Sequence, residues 1–193
     1  MSDTAAVPPP WRLADDASNR LRKRSICLWR TFLDGFLDGL RVSPIDDSAG
    51  KKEWKRCQVE LTEAVVTGQC VDFSAELRRR TYLDANLRKR SKYMANAFAF
   101  GEDRACQALR DAFGKKEPCL RIGSIGGGPG FCQVAFAAIL AYDTALERRH
   151  IDLQVYDYET AWAQEAQILN SALQDVLDEC NASIRCTMHY ADV

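Results

Sequence analysis

The apolar positions in the first part of the chain recur at helical spacing. From residue 19 to residue 40 they form one broad stripe, which predicts a helix that packs against another element. A polar loop over residues 43–50 separates it from a second helix, which begins near Lys52 and ends before Gly68. The stripe of the first helix comprises Leu21, Leu28, Trp29, Phe32, Leu33, Phe36 and Leu40.

Two further helices are predicted before residue 115. The third has Asp72 or Ser74 as its N-terminal cap, and the fourth runs from about Glu102 to Phe113. Residues 19–115 therefore read as one helical region, and residues 1–18, rich in Ala, Pro and Asp, as a disordered N-terminus. Four side chains before the fourth helix are expected to pack between the helical region and the sheet, or else to stack on a ligand: Tyr93, Met94, Phe98 and Phe100.

The second part of the chain, residues 116–193, alternates strand patterns with helix patterns. Apolar or alternating runs over 119–125, 151–156 and 183–189 predict three strands. Helical patterns follow the first strand at 131–142 and the second from near Glu159. Strands that alternate with helices predict an α/β fold with a parallel sheet.

A glycine loop joins the first strand to the helix at 131–142. Its sequence from 124 to 130 is Ser-Ile-Gly-Gly-Gly-Pro-Gly, and glycines allow sharp turns and close approach to a ligand. The helix N-terminus beyond it favours an anionic group, either a phosphate or a carboxylate. The spacing disfavours a dinucleotide loop, because the third glycine is one position early, and a phosphate-binding P-loop, because Phe131, Cys132 and Gln133 follow Gly130.

Residues 124–130 resemble the first motif of the class I S-adenosylmethionine-dependent methyltransferases, an acid followed by x-G-x-G-x-G. Ser124 stands where that family usually has Asp or Glu. The resemblance covers residues 119–193 and implies the first half of a Rossmann-like domain, truncated after the third strand, that binds S-adenosylmethionine. The implied activity is methyl transfer, with RNA or protein as acceptor and no assignable catalytic residue.

Carboxylates follow the second and third strands. Asp157 lies at the carboxyl end of the second strand, where ligands bind in open α/β sheets, and is the candidate for holding a ribose diol. In the family an acid after the third strand commonly faces the adenine amino group, which implies this role for Asp192. The implied cofactor-binding residues are Ser124, Gly126, Gly127, Gly128, Gly130, Asp157, Tyr158 and Asp192.

Each of these features also has an interpretation without a cofactor. The glycine run then forms a plain loop, Asp157 caps the following helix, and Asp192 belongs to a solvated chain end. Two other functions stay open beside the methyltransferase: a catalytically inactive cofactor-binding or interaction module, and an oxidoreductase that binds NAD(P) or FAD. We expect the chain to be a fragment, because strands four and onward would follow residue 193. The unpaired edge of the first strand then favours self-association.

Charge is divided unevenly along the chain. Residues 1–92 contain 18 Lys/Arg and 13 Asp/Glu, whereas residues 93–193 contain 8 and 14. The basic residues of the third helix are candidates for contact with an RNA backbone, or they are simply solvated and paired with nearby acids. The RNA candidates are Arg78, Arg79, Arg80, Arg88, Lys89 and Arg90.

Composition is consistent with a soluble intracellular protein. Hydrophobic residues make up 47% and charged residues 27%, and the longest apolar run, residues 134–142, is far shorter than a bilayer span of about 18 residues or more. The N-terminus lacks the pattern of a signal peptide, so we expect a cytoplasmic or nuclear protein without membrane contact. The eight cysteines form no C-x-x-C pair and no cluster with His150 or His189, so neither a zinc site nor disulfides are expected.

Overall fold

The computed structural model of the chain describes residues 19–40, 48–69, 71–114, 119–143, 146 and 150–190. The predicted disordered N-terminus, residues 1–18, lies outside them. The described elements follow one another as α1 Asn19–Gly39, α2 Ser48–Thr67, α3 Glu76–Phe100, α4 Arg104–Phe113, β1 Leu120–Ile125, α5 Phe131–Tyr142, β2 His150–Asp157, α6 Trp162–Glu179 and β3 Ser183–Tyr190.

The three strands form a parallel sheet in the order β1-β2-β3. Leu153 of β2 lies opposite Ile122 of β1 and Cys186 of β3. Each crossover between neighbouring strands contains a helix, as parallel pairing requires. The predicted α/β fold with a parallel sheet is confirmed, and within the described residues β1 pairs with β2 alone. This arrangement fits a Rossmann-like architecture in general terms.

Apart from Gln133, helix α5 is apolar on all sides, and it lies in the centre of the protein. Every residue from 131 to 140 is buried. On the side away from the sheet, Phe136 stacks on Phe98 of α3 at 4.8 Å between ring centroids, and Tyr142 contacts Trp29 of α1 at 4.9 Å. A helix without a polar face must be covered all round, so the N-terminal helices and the sheet share one hydrophobic core.

The aromatic side chains predicted near residues 93–100 belong to α3 rather than to a separate segment. Met94, Phe98 and Phe100 pack against the core, as the packing interpretation predicted. Tyr93 differs, because 75% of its surface is exposed. Helix α1 is anchored beside them, where Trp29 Nε1 donates to Asn96 Oδ1 at 3.1 Å.

The start of α3 differs from the sequence prediction. Neither Asp72 nor Ser74 caps the helix, because it begins at Glu76 and Ala75 occupies the cap position without a side-chain hydrogen bond. Asp72 instead accepts a hydrogen bond from the Ser74 N–H at 2.9 Å within the preceding loop. That bond lowers the pKa of the Asp72 carboxyl.

The two faces of the sheet differ in character. Ile151, Leu153 and Val155 point to the helices and are buried. The opposite face carries polar side chains around Asp152, which accepts from Arg185 Nη2 at 3.0 Å and from Gln154 Nε2 at 2.7 Å. Strands of parallel sheets are usually apolar on both faces, so this polar face is a departure from the common pattern.

None of the described helices combines the length and the apolar character that crossing a bilayer needs.

The described cysteines differ in exposure. Cys27 and Cys119 are exposed, whereas Cys57 and Cys132 are buried. Burial raises the pKa of the Cys186 thiol to about 12, with a smaller contribution from the charge of Cys132. The thiolate is the nucleophilic form, so Cys186 is a poor nucleophile in the folded protein at neutral pH.

Alkylation of the native chain with iodoacetamide at about pH 8 is expected to modify Cys27 and Cys119 first and to leave Cys132 and Cys186 unmodified. Peptide mass mapping after timed quenching measures the difference. In denaturant all thiols should react at similar rates, which provides the control. Native labelling of the half-buried Cys186 as fast as that of Cys27 would contradict its raised pKa.

Candidate functional site

The glycine loop lies between the carboxyl end of β1 and the first residue of α5. Gly126, Gly128 and Gly130 have φ angles of +63°, +54° and +89°, a region that side chains with a Cβ adopt only with strain. Gly130 occupies the N-cap position of α5, and no side chain caps the helix there. The Gln133 N–H donates to Gly130 O at 2.9 Å, and without a capping side chain the start of α5 is the kind of helix terminus that attracts an anionic group.

Asp157 is brought to this loop from the end of β2. Its Oδ2 accepts from the Gly128 N–H at 2.8 Å and its Oδ1 from the Glu159 N–H at 3.0 Å. The Gly126 N–H also bonds to β2, at Tyr156 O and 2.8 Å. A carboxylate has about four acceptor positions, so two amide bonds leave capacity for hydroxyl donors of a ligand.

The interpretation of Asp157 as the N-terminal cap of the following helix is wrong. Helix α6 begins at Trp162 with Ala161 in the N-cap position, and Glu159 rather than Asp157 accepts from the Ala161 N–H. The side chain of Asp157 is 5% exposed and directed to the glycine loop as well as to the Glu159 amide.

The glycine loop passes close to the sheet at Gly127. A Cβ built on this residue would lie 2.6 Å from Val155 Cγ1 and 2.9 Å from Ser124 Oγ. Distances this short are not found for real Cβ atoms, so the loop requires glycine here for space rather than for φ.

Ser124 lies beneath the loop. It is paired in register with Val155 and so faces the helix layer. Burial raises the pKa of the Cys132 thiol, and a hydrogen bond with the Ser124 side chain acts in the opposite direction. The hydroxyl therefore contacts the first turn of α5.

The remaining predicted site residues are only partly described. Tyr158 is 55% exposed at the carboxyl edge of the sheet, next to Asp157. Asp192 lies outside the described residues. The structure thus brings together Ser124, Gly126, Gly127, Gly128, Gly130 and Asp157, with Tyr158 at the border of the group.

Helix α3 places Tyr82, which the sequence analysis did not assign to this site, next to the first residue of α5. The ring of Tyr82 lies 6.0 Å from the ring of Phe131 and 5.8 Å from that of Trp162. The guanidinium carbon of Arg90 lies 5.4 Å from the centroid of the Tyr82 ring. Tyr82 was visible in the sequence as an aromatic residue within a basic helix, but its contacts join segments far apart in the chain.

A buried amide oxygen also lies at the first turn of α5. Gln133 is 1% exposed, and its Nε2 donates to Asn170 Oδ1. Its Oε1 has no hydrogen-bond partner among the described residues and would lie 3.5 Å from a Cβ on Gly130. Buried acceptors are normally satisfied, so this oxygen is available to a donor that reaches the loop.

The basic residues of α3 divide into two groups. Arg79 was a candidate for RNA contact, and this is wrong, because it is 5% exposed and forms an ion pair with Glu165 at 3.0 Å. Arg79 lies one turn before Tyr82 on the same face of α3, and both residues contact α6.

The other basic residues of α3 differ in whether they have a counterion. Arg78 pairs with Glu60 at 3.2 Å and Arg88 pairs with Asp34 at 3.2 Å. Three of the candidates form no ion pair with the described residues: Arg80, Lys89 and Arg90.

Comparisons of the chain with models of protein families, with curated proteins and with solved structures gave no match.

Proposed function

We propose that the glycine loop, the N-terminus of α5 and Asp157 bind S-adenosylmethionine, and that the chain belongs to a methyltransferase with a Rossmann-like domain. The observation that carries the proposal is the hydrogen bond of 2.8 Å between the Gly128 N–H and Asp157 Oδ2. It joins an anion-attracting helix terminus to a diol-binding carboxylate at the carboxyl edge of a parallel sheet.

The residues present fit the two ends of this cofactor. The uncapped amides of α5 suit the carboxylate of its amino-acid end, and Asp157 suits the two ribose hydroxyls. When bound, the cofactor supplies a methyl group on a sulfonium for in-line displacement by a nucleophile. The protein's part is to bind and align the two reactants, and no described residue is assigned as a base.

The methyl acceptor in this proposal is RNA or protein. Arg80 and Lys89 are the members of the basic set on α3 that are best suited to a phosphate backbone, because neither forms an ion pair with the described residues and neither is held on the Tyr82 ring as Arg90 is. Self-association through the edge of β1 belongs to the same proposal, since Ile125 at the end of this strand is 82% exposed.

The test is calorimetric titration of the full 193-residue chain with S-adenosylmethionine and S-adenosylhomocysteine, with NADH as a control ligand. We expect micromolar binding of the first two. In Asp157→Asn the affinity should fall about 10-fold or more, because a hydrogen bond to a charged group contributes about 1.5–3 kcal/mol. Asp152→Asn is the matched control, since it changes the same group on the opposite face of β2.

Each outcome separates the candidate functions. Binding that Asp157→Asn and Asp152→Asn weaken equally would place the cofactor elsewhere. Preferential binding of NADH would favour the oxidoreductase, and no binding by a folded chain would end the proposal. Cofactor binding without methylation of any RNA or protein acceptor would favour the inactive module, an interpretation that the position of Ser124 beneath the loop supports.

A further inference from the structure

Arg90 of α3 is held by an aromatic ring instead of a carboxylate. Its guanidinium carbon lies 5.4 Å from the centroid of Tyr82, a distance typical of a cation–π contact. The two residues are eight positions apart, about 12 Å along a helix axis, so the side chain of Arg90 folds back along α3 to reach the ring. The guanidinium is thereby positioned without neutralisation of its charge.

Most of the other cations of α3 form ion pairs within the protein, whereas Arg80 and Lys89 form none with the described residues. Arg79 pairs with Glu165, Arg88 with Asp34 and Asp38, and Lys92 with Asp34. Arg90 forms no ion pair with any residue that the structure describes. A fixed, unneutralised guanidinium retains its full capacity to bind an anion, and its planar fork matches a carboxylate.

The ring that holds Arg90 belongs to the surroundings of the glycine loop. Tyr82 lies 6.0 Å from Phe131, the first residue of α5, and Ser91 Oγ donates to Phe131 O at 3.4 Å. Burial raises the pKa of the Tyr82 hydroxyl, the charge of Arg90 lowers it, and the charge of Asp157 raises it. Tyr82 is thus within electrostatic range of both Arg90 and the carboxylate at the end of β2.

We propose that Arg90 binds the carboxylate at the amino-acid end of the ligand held at the glycine loop, with the Tyr82 ring fixing the guanidinium. The inference rests on the proposed function, and it adds the residue that recognises the amino-acid end. The ligand then meets positive charge from Arg90 and from the α5 N-terminus, and negative charge from Asp157. A zwitterionic amino acid joined to a ribose diol has groups that suit these charges.

The test compares two neutral thioethers of the same nucleoside. S-adenosylhomocysteine carries the amino-acid group, whereas methylthioadenosine has a methyl group in its place. Calorimetry of the full chain should show that Arg90→Gln weakens S-adenosylhomocysteine binding about 10-fold or more and leaves the Kd of methylthioadenosine unchanged. Arg90→Lys should recover part of the loss, because it keeps the charge without the bidentate fork.

Lys89→Gln is the control, since it removes a neighbouring charge from the same helix and should leave both Kd values unchanged. Equal weakening of both ligands by Arg90→Gln, or no weakening, would overturn the assignment of Arg90 while the proposed function stands. If the folded wild-type chain binds neither ligand, both the proposed function and this inference fail. Arg90 is exposed, and a thermal melt of each variant verifies that the fold is retained.

Discussion

Replacement of Glu165 with Gln is expected to lower the free energy of unfolding by about 3–5 kcal/mol, because it leaves the charge of Arg79 buried without a counterion. The two side chains are 6% and 1% exposed, and Arg79 Nε lies 3.0 Å from Glu165 Oε2 and 3.1 Å from Oε1. A second nitrogen of the guanidinium donates to Phe73 O at 2.9 Å and to Ser74 O at 2.6 Å. These bonds hold the arginine in place, so it cannot move into water without disrupting the start of α3.

Equilibrium unfolding in urea measures this loss. Arg78→Gln, on the preceding residue of the same helix, is the matched control. Its pair with Glu60 is partly exposed, at 36% and 43%, and such pairs contribute about 0–1 kcal/mol. The double variant Arg79→Leu/Glu165→Leu should be more stable than Glu165→Gln, because apolar replacement of both partners removes the unpaired charge. A Glu165→Gln variant as stable as Arg78→Gln would contradict the buried ion pair.

Substitution of Gly127 with Ala is the second change with a large expected effect. The added methyl would lie 2.6 Å from Val155 Cγ1, in a buried, β-branched side chain that has little freedom to move. We expect destabilisation of about 1–3 kcal/mol from overpacking. The loop must also shift away from β2, and this weakens the bond between the Gly128 N–H and Asp157. Affinity for S-adenosylmethionine should therefore fall together with stability.

Gly123→Ala is the control for this prediction. Gly123 lies in β1 four residues earlier, and a Cβ there would meet nothing within 4 Å. Thermal unfolding and calorimetric titration of both variants separate a steric effect at the loop from a general effect of replacing glycine. Equal behaviour of the two variants would show that the close approach of Gly127 to Val155 is not required.

Local sequence patterns were sufficient to predict the helix and strand that carry the candidate site. The helix predicted at 131–142 has the bounds that the structure gives α5, because an apolar run between a glycine and a polar segment marks both ends. The position of Asp157 also followed from local sequence, since it ends an alternating strand and parallel strands deliver their carboxyl ends to one edge. Its bond to Gly128 was not part of that expectation and is a finding of the structure.

Sequence patterns did not predict contacts between residues that lie far apart along the chain. Arg79 belongs to a run of three arginines that a local reading places on a solvated or RNA-binding face, but its counterion is 86 residues away on α6. The helix bounds at Glu76 and Trp162 were missed for a related reason. Caps depend on the course of the preceding loop, and Asp72 and Asp157 both bond to amides within those loops.

Strand and helix order, the parallel sheet and the glycine loop thus follow from the sequence, because hydrophobic period and glycine positions act within a few residues. The burial of Arg79 and the contact of Tyr82 with Phe131 beside the glycine loop depend on how α3 crosses α5 and α6. Such crossings arise from the packing of whole helix surfaces, which no short stretch of residues encodes.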